Sequence, residues 1–232
     1  MKTIGMLGGM SWESSSVYYS LLNKMTQTEF GGSYSCPCIL HSFDFQVIDN
    51  LQHKGKWPDL GKILAKAAKN LELSGAELLI ICTNTMHLVA DEIQKNIGIP
   101  LIHIVDTVAS EIINRGINKV GLLGTKFTME KSFFSDRLKE KHNIFSITPS
   151  QKERDLIHDV IYAELIRGKI VDKSKTQFIE IIENLKNKGA EGIILGCTEI
   201  PLLVNQEDTS IPIFDTTSIH AAAAFNEAIK NN

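Results

Sequence analysis

Two short segments of this chain concentrate side chains that can move protons. Residues 82–85 read Cys82-Thr83-Asn84-Thr85, and residues 196–199 read Gly196-Cys197-Thr198-Glu199. Each follows an apolar run introduced by the same tripeptide, Gly75-Ala76-Glu77 in the first case and Gly189-Ala190-Glu191 in the second. Aligning the tripeptides sets Thr83 opposite Cys197 and Asn84 opposite Thr198. Each turn opens a helical stretch whose free N–H groups favour an anion. A bound carboxylate would be flanked by Thr83 and Cys197, and a thiol in that setting is expected to have a lowered pKa.

Plainer readings exist for most of these residues. A free cysteine is usually a small buried hydrophobe, and Thr83 and Thr85 also suit helix capping. The pairing of the two turns is what favours chemistry at Cys197. Gly8-Gly9 belongs to no G-x-G-x-x-G or G-K-[ST] pattern, so nucleotide binding is not expected. Cys36, Cys38 and His41 lack a fourth ligand, so no metal site is expected. His87 reads as structural or as lining the site. Arg167 and Lys169 could pair with a substrate side chain but read more simply as a solvated helix end.

The elements that must position the turns come from a weak internal repeat. Residues 4–8 read I-G-M-L-G and residues 120–124 read V-G-L-L-G. Ile99-Pro100-Leu101-Ile102-His103 recurs as Ile211-Pro212-Ile213-Phe214-Asp215. With the two G-A-E segments, these matches keep one order, as two copies of one α/β unit would. Short apolar runs at 4–8, 78–82, 99–104, 120–124, 192–196 and 211–214 predict buried parallel strands. Between them lie amphipathic helices, such as the one with Leu60, Ile63, Leu64, Ala67, Ala68 and Leu71 on one face. The expected fold is α/β, with two pseudo-symmetric, doubly wound parallel-sheet lobes and the site in a cleft between them. The repeat order places the first lobe at 1–98 plus 211–232 and the second at 99–210.

Bulk properties agree with an ordinary globular protein. Of 232 residues, 43% are hydrophobic and 22% charged, and the formal net charge is −3. Nothing there points to nucleic acid or an anionic membrane as partner. The apolar run at 78–82 is too short to span a bilayer, and residues 1–10 lack the features of a signal peptide. The four cysteines make no disulfide framework, so a reducing cytoplasm is the expected compartment.

Taken together, G-M-L-G-G-M-S at 5–11, C-T-N-T-M-H at 82–87, L-L-G-T at 122–125 and G-C-T-E at 196–199 resemble the aspartate/glutamate racemase superfamily along the whole chain. The resemblance implies proton removal and return at an amino-acid α-carbon, without pyridoxal phosphate or metal. It implies that Asn84, Thr85 and Thr198 hold the α-carboxylate. It also suggests that Met10 and Gln52 touch the substrate, with Thr125 a weaker candidate. Relatives usually carry a cysteine at both turns; here Thr83 replaces the first, as in a subgroup whose members are described as acidic-amino-acid racemases with unequal bases. Cys82, one residue earlier, should face the other side of its strand. Cys197 is thus expected to be the main acid/base and Thr83 an opposite-face proton donor. The expected partner is a small amino-acid substrate, with a homodimer left open. The alternatives are isomerisation or decarboxylation of a dicarboxylic acid, a cysteine hydrolase pairing Cys197 with His220 or His87, and a non-catalytic amino-acid-binding relative.

Overall fold

The computed structural model describes residues 1–230. The chain divides into two compact units, one of residues 1–104 with 220–232, the other of residues 105–219.

The first unit is built on a parallel sheet of β1 (Ile4–Gly8), β2 (Cys38–Ser42) and β3 (Leu78–Ile81), in the order β2-β1-β3. Leu101 adds a parallel bridge to Leu79 on the far side of β3. Helices α1 (Trp12–Phe30), α2 (Phe45–His53), α3 (Trp57–Leu73) and the short α4 (Ala90–Lys95) connect these strands. The alternation of strand side chains divides the core in two. Leu7, Leu79 and Ile81 pack with Ile48 of α2, Leu60, Leu64 and Leu71 of α3, and Ile93 of α4. Ile4, Met6, Leu78, Ile80 and Cys82 face the other way, onto Tyr18 and Leu22 of α1. Each such buried side chain contributes roughly 1.5–3 kcal/mol of transfer free energy. Both faces are therefore covered, which is why these strands are apolar throughout rather than alternating.

The second unit repeats the plan. Helix α5 (Ile104–Asn114) leads to β4 (Lys119–Gly124), then α6 (Lys126–Glu130), α7 (Ser132–His142), β5 (Phe145–Ile147), α8 (Gln151–Ala163), α9 (Asp172–Asn187), β6 (Gly192–Gly196) and β7 (Ile213–Asp215). The strand order β5-β4-β6-β7 is the repeat image of β2-β1-β3 followed by Leu101, and all its pairings are parallel. Leu123, Ile193 and Leu195 pack on Ile157 and Ile161 of α8 and Phe178 and Ile182 of α9. On the opposite side, Arg115 stacks over the Phe214 ring of β7 at 5.2 Å. Asp106 of α5 takes two bonds of 2.7 Å from Arg137 of α7, with Lys141 and His142 also on its carboxylate. The doubly wound arrangement expected of each lobe is what forms.

The boundaries between units differ from the sequence expectation by a strand at each crossing. The repeat order assigns residues 99–104 to the second lobe and 211–219 to the first. Hydrogen bonding instead keeps Leu101 beside β3 and β7 beside β6. Only the helices change units. The last helix, α10 (Thr216–Ile229), sends Ala221, Ala224, Phe225 and Ala228 into the core around Ile4 and Met6. A strand edge offers backbone bonds to any neighbour, so apolar pattern alone did not specify which sheet the strand would join.

Candidate active site

Within the first unit, Met10 and residues 83–85 follow the carboxyl ends of β1 and β3, while Gln52 lies near the end of α2. Met10 lies in the turn after β1. That turn is fixed by Gly9, whose φ of 80° suits glycine and whose N–H donates to Ser15 Oγ at 2.7 Å. Ser11 caps α1 by accepting from the Ser14 N–H. The Met10 side chain is buried in the core around Leu7. Gln52 is buried on α2. Thr83 follows β3 and is half-buried, while Asn84 and Thr85 beside it are buried.

The neighbouring cysteine takes no part in this cluster. Cys82 is wholly buried among Ile4, Met6 and Ala221. Burial, with a smaller contribution from Cys38, pushes its thiol far up from the ordinary range. It is a core side chain, on the face that strand alternation assigns to it.

His87 holds the Thr83 turn from below. Its Nδ1–H donates to the Thr83 carbonyl at 2.9 Å, and its Nε2 accepts from the Ile104 N–H at 3.2 Å. A ring nitrogen that accepts from an N–H is unprotonated, so the tautomer follows from the two partners. His220 is held similarly, accepting from Tyr18 Oη at 2.8 Å and donating to the Ile102 carbonyl at 2.7 Å. Burial and the neighbouring His103 and His220 keep His87 well below its ordinary pKa, and burial lowers His220 to about 4. Both nitrogens of each ring are engaged inside the first unit, leaving neither to serve as the base of a cysteine hydrolase.

In the second unit, Cys197 and Thr198 leave the carboxyl end of β6. Gly196 is paired with Gly124 of β4. A Cβ on Gly196 would lie 2.9 Å from the Leu123 carbonyl and 3.1 Å from Thr128 Cγ2. The bare backbone thus lets α6 pack over the strand ends. Thr125 caps α6 by accepting from the Thr128 N–H.

Both turns open helical stretches of 3₁₀ winding, Thr85–Val89, which runs on into α4, and Ile200–Leu202. One expectation needs correction: the Cys197 thiol is not lowered. Burial pushes it well above its ordinary value, and the Glu199 carboxylate adds to that, while the N–H groups of Thr198 and Glu199 pull the other way without prevailing. The thiol donates to Glu199 Oε2 at 2.9 Å, and Thr198 Oγ1 donates to the same oxygen at 2.7 Å. Glu199 is buried, with 5% exposure. The sequence motif contained Glu199 but nothing in it singled out a carboxylate two residues from the thiol.

The remaining candidates behave as ordinary structure. Cys36 is buried and its thiol faces the Pro37 carbonyl. Among the described residues no cluster of histidine, cysteine or acidic side chains could hold a metal. Arg167 and Lys169 are exposed. Among the same residues no helix is long and apolar enough to cross a membrane.

Comparison with known proteins places the chain in context. Residues 7–224 match the Asp/Glu/hydantoin racemase family. The chain belongs to that family. A candidate Asp/Glu racemase from Yersinia pestis is 47% identical and superposes with a TM-score of 0.94, over 99% of this chain and 100% of the other. An aspartate racemase homologue from Pyrococcus horikoshii OT3 is 38% identical with a TM-score of 0.87, over 98% and 99% of the two chains. A broad specificity amino-acid racemase of Bacillus subtilis (strain 168) is 24% identical over 93% of each chain. The Asp/Glu/hydantoin racemase fold thus accounts for the chain from β1 to α10.

Proposed function

We propose that this chain racemises an acidic amino acid, aspartate or glutamate, using its own side chains to remove and return the α-proton. The observation that carries the reading is the equivalence of two turns. Thr83 and Cys197 each follow the strand that pairs with the first strand of its sheet, at the carboxyl end where ligands of open α/β sheets gather. The family and the names of its similar members support the same reading. In this mechanism Cys197 is the principal acid/base. Asn84, Thr85 and Thr198 hold the α-carboxylate, where charge accumulates as the proton leaves. Met10 and Gln52 contribute to substrate contact. Thr83 supplies a proton to the opposite face, since a hydroxyl is a poor base but an adequate donor to a carbanion. No pyridoxal phosphate or metal is invoked.

The test follows from unequal bases. Racemisation has an equilibrium constant of one, so kcat/KM must be equal in the two directions whatever the bases. Inequality appears in exchange instead. If Cys197 faces the L-enantiomer, the carbanion is reprotonated mostly from the Cys197 side, with retention. In deuterated water without added cofactor, L-aspartate or L-glutamate should gain α-deuterium faster than it racemises, whereas the D-enantiomer should show no such excess. Thr83→Cys should narrow the gap. Equal exchange and racemisation rates from both enantiomers would make Thr83 a full partner and remove the one-strong-base mechanism. Release of carbon dioxide or isomerisation of a dicarboxylic acid, without α-exchange in amino acids, would transfer the site to the alternative reactions.

A further inference from the structure

The Thr83 carbonyl is held by a side chain rather than by the helix that follows it. In an α-helix it would accept from the backbone N–H of residue 87, but the 3₁₀ winding after β3 sends the His87 N–H to the Asn84 carbonyl at 3.1 Å. The ring of the same residue takes its place: His87 Nδ1–H donates to the Thr83 carbonyl at 2.9 Å. The equivalent turn after β6 is tied differently. Counting from the two G-A-E tripeptides, Pro201 stands where His87 does, and the Cys197 carbonyl accepts from the Ile200 N–H at 3.3 Å. The geometry points to His87 as a positioning residue that sets the plane of the peptide between Thr83 and Asn84. This inference rests on the racemase reading of the site.

A peptide is planar, so holding its carbonyl holds its N–H as well. This one is trans, with C=O and N–H opposed. Drawing the carbonyl toward the buried His87 ring turns the Asn84 N–H to the opposite side, away from the histidines. A backbone donor so aimed can meet the substrate carboxylate, where charge gathers as the α-proton leaves. The same plane fixes the backbone from which the Thr83 hydroxyl projects. His87 suits this task because its ring is held from several sides. Its other nitrogen accepts from the Ile104 N–H at 3.2 Å, and the rings of His103 and His220 lie 4.8 and 5.5 Å away, centre to centre. Tyr18 Oη and the Ile102 carbonyl hold His220 in turn. Burial and the two neighbouring rings keep His87 neutral. It therefore carries one N–H, on Nδ1 for Thr83, and one lone pair, on Nε2 for Ile104.

The experiment compares wild type with His87→Asn, His87→Gln and His87→Leu, each checked by circular dichroism and urea unfolding. The asparagine amide reaches the position of Nδ1 and keeps the donor to Thr83. The glutamine amide reaches that of Nε2 and keeps only the acceptor for Ile104. Long-range proton–nitrogen correlation spectra, taken without substrate at about pH 7, should show a neutral Nδ1–H ring that vanishes in the variants, against Nε2–H for His220. In α-deuterium exchange into L-aspartate or L-glutamate, His87→Gln and His87→Leu should lose at least about tenfold in kcat, with KM within about threefold. His87→Asn should stay within about threefold of wild-type kcat, whatever stability it loses. A role in packing alone would instead leave kcat unmoved in every folded variant. A kcat for His87→Asn no better than for His87→Gln, an Nε2–H ring, or a charged ring overturns the inference. Where a variant does not fold, the wild-type ring decides: Nδ1–H supports the inference, and either other form overturns it. Absence of α-exchange in wild type would fell the racemase reading alone, because the ring is read without substrate.

Discussion

At the scale of single residues, two cysteines a short distance from equivalent strand ends have opposite fates. Cys82 is the last residue of its apolar run and points into the core with Ile80 and Leu78. Cys197 stands one step further along its repeat, where the strand has ended and the backbone turns. Substituting Cys197→Ser is expected to reduce α-proton exchange by roughly 10²–10⁴-fold, the usual range for losing a general acid/base. Cys82→Ala should leave exchange within about twofold and instead cost roughly 1–2 kcal/mol of stability through the small cavity it creates. Parallel measurement of exchange rates and urea unfolding checks both, and comparable loss of activity in the two folded variants would show that the repeat register is wrong. The register itself was legible in the sequence, because the G-A-E tripeptides count the same number of residues to Thr83 and Cys197. The state of the thiol was not. A helix N-terminus near a cysteine suggested a lowered pKa, whereas the real determinants, burial and Glu199, depend on how the turn folds back on itself.

At the scale of elements, β6 and β7 meet where glycine makes room for an aromatic ring. Gly192 has no side chain, and a Cβ there would lie 2.6 Å from Phe214 Cε2. Phe214 is fully buried and covered by the Arg115 guanidinium, so its ring has little freedom to withdraw. Gly192→Ala should therefore destabilise the protein by roughly 1–3 kcal/mol, as overpacking does. Urea melts give the value; an unchanged midpoint would mean that β7 shifts freely. The strands themselves were readable from short apolar runs bounded by glycine and proline, and α3 from its 3.6-residue period. The sheet membership of Leu101 and β7 was not, because an Ile-Pro segment at the end of one unit's sheet and the start of the next has the same apolar pattern in either place. What decides it is pairing with β3 and β6, a contact between segments distant in sequence.

For the molecule as a whole, the buried histidines set the acid limit. His87 and His220 are held neutral, the former well below and the latter near 4, against an ordinary value of 6.5. The unfolded chain takes up these protons as pH falls through about 6.5, while the folded chain refuses them until much lower pH. The unfolded state then binds more protons, so stability is fully present above pH 6.5 and declines as pH falls toward 4. His220 alone accounts for roughly 3 kcal/mol of that decline. Unfolding free energies measured from pH 7 to 4.5 should show the slope, and His220→Asn should flatten it. An identical slope in the variant would assign acid sensitivity elsewhere. Asp106 acts only at lower pH: burial raises its carboxyl, but the bonds from Arg137, His142 and Lys141 together hold it well below the usual range.

The return of α10 to the first unit has a consequence for how the chain is made. Residues 105–219 are contiguous, so the second unit has all its parts once they leave the ribosome. The first unit does not, although its strands are synthesised earlier. The face formed by Ile4, Met6, Leu78 and Ile80 is covered on one flank by α1 and must wait for Ala221, Ala224, Phe225 and Ala228. Vectorial synthesis usually lets the N-terminal part of a protein settle first. Here the order is reversed: the segment bearing Cys197 can close while the nascent sheet bearing Thr83 still shows an apolar flank, and that flank is the surface a ribosome-associated chaperone would meet.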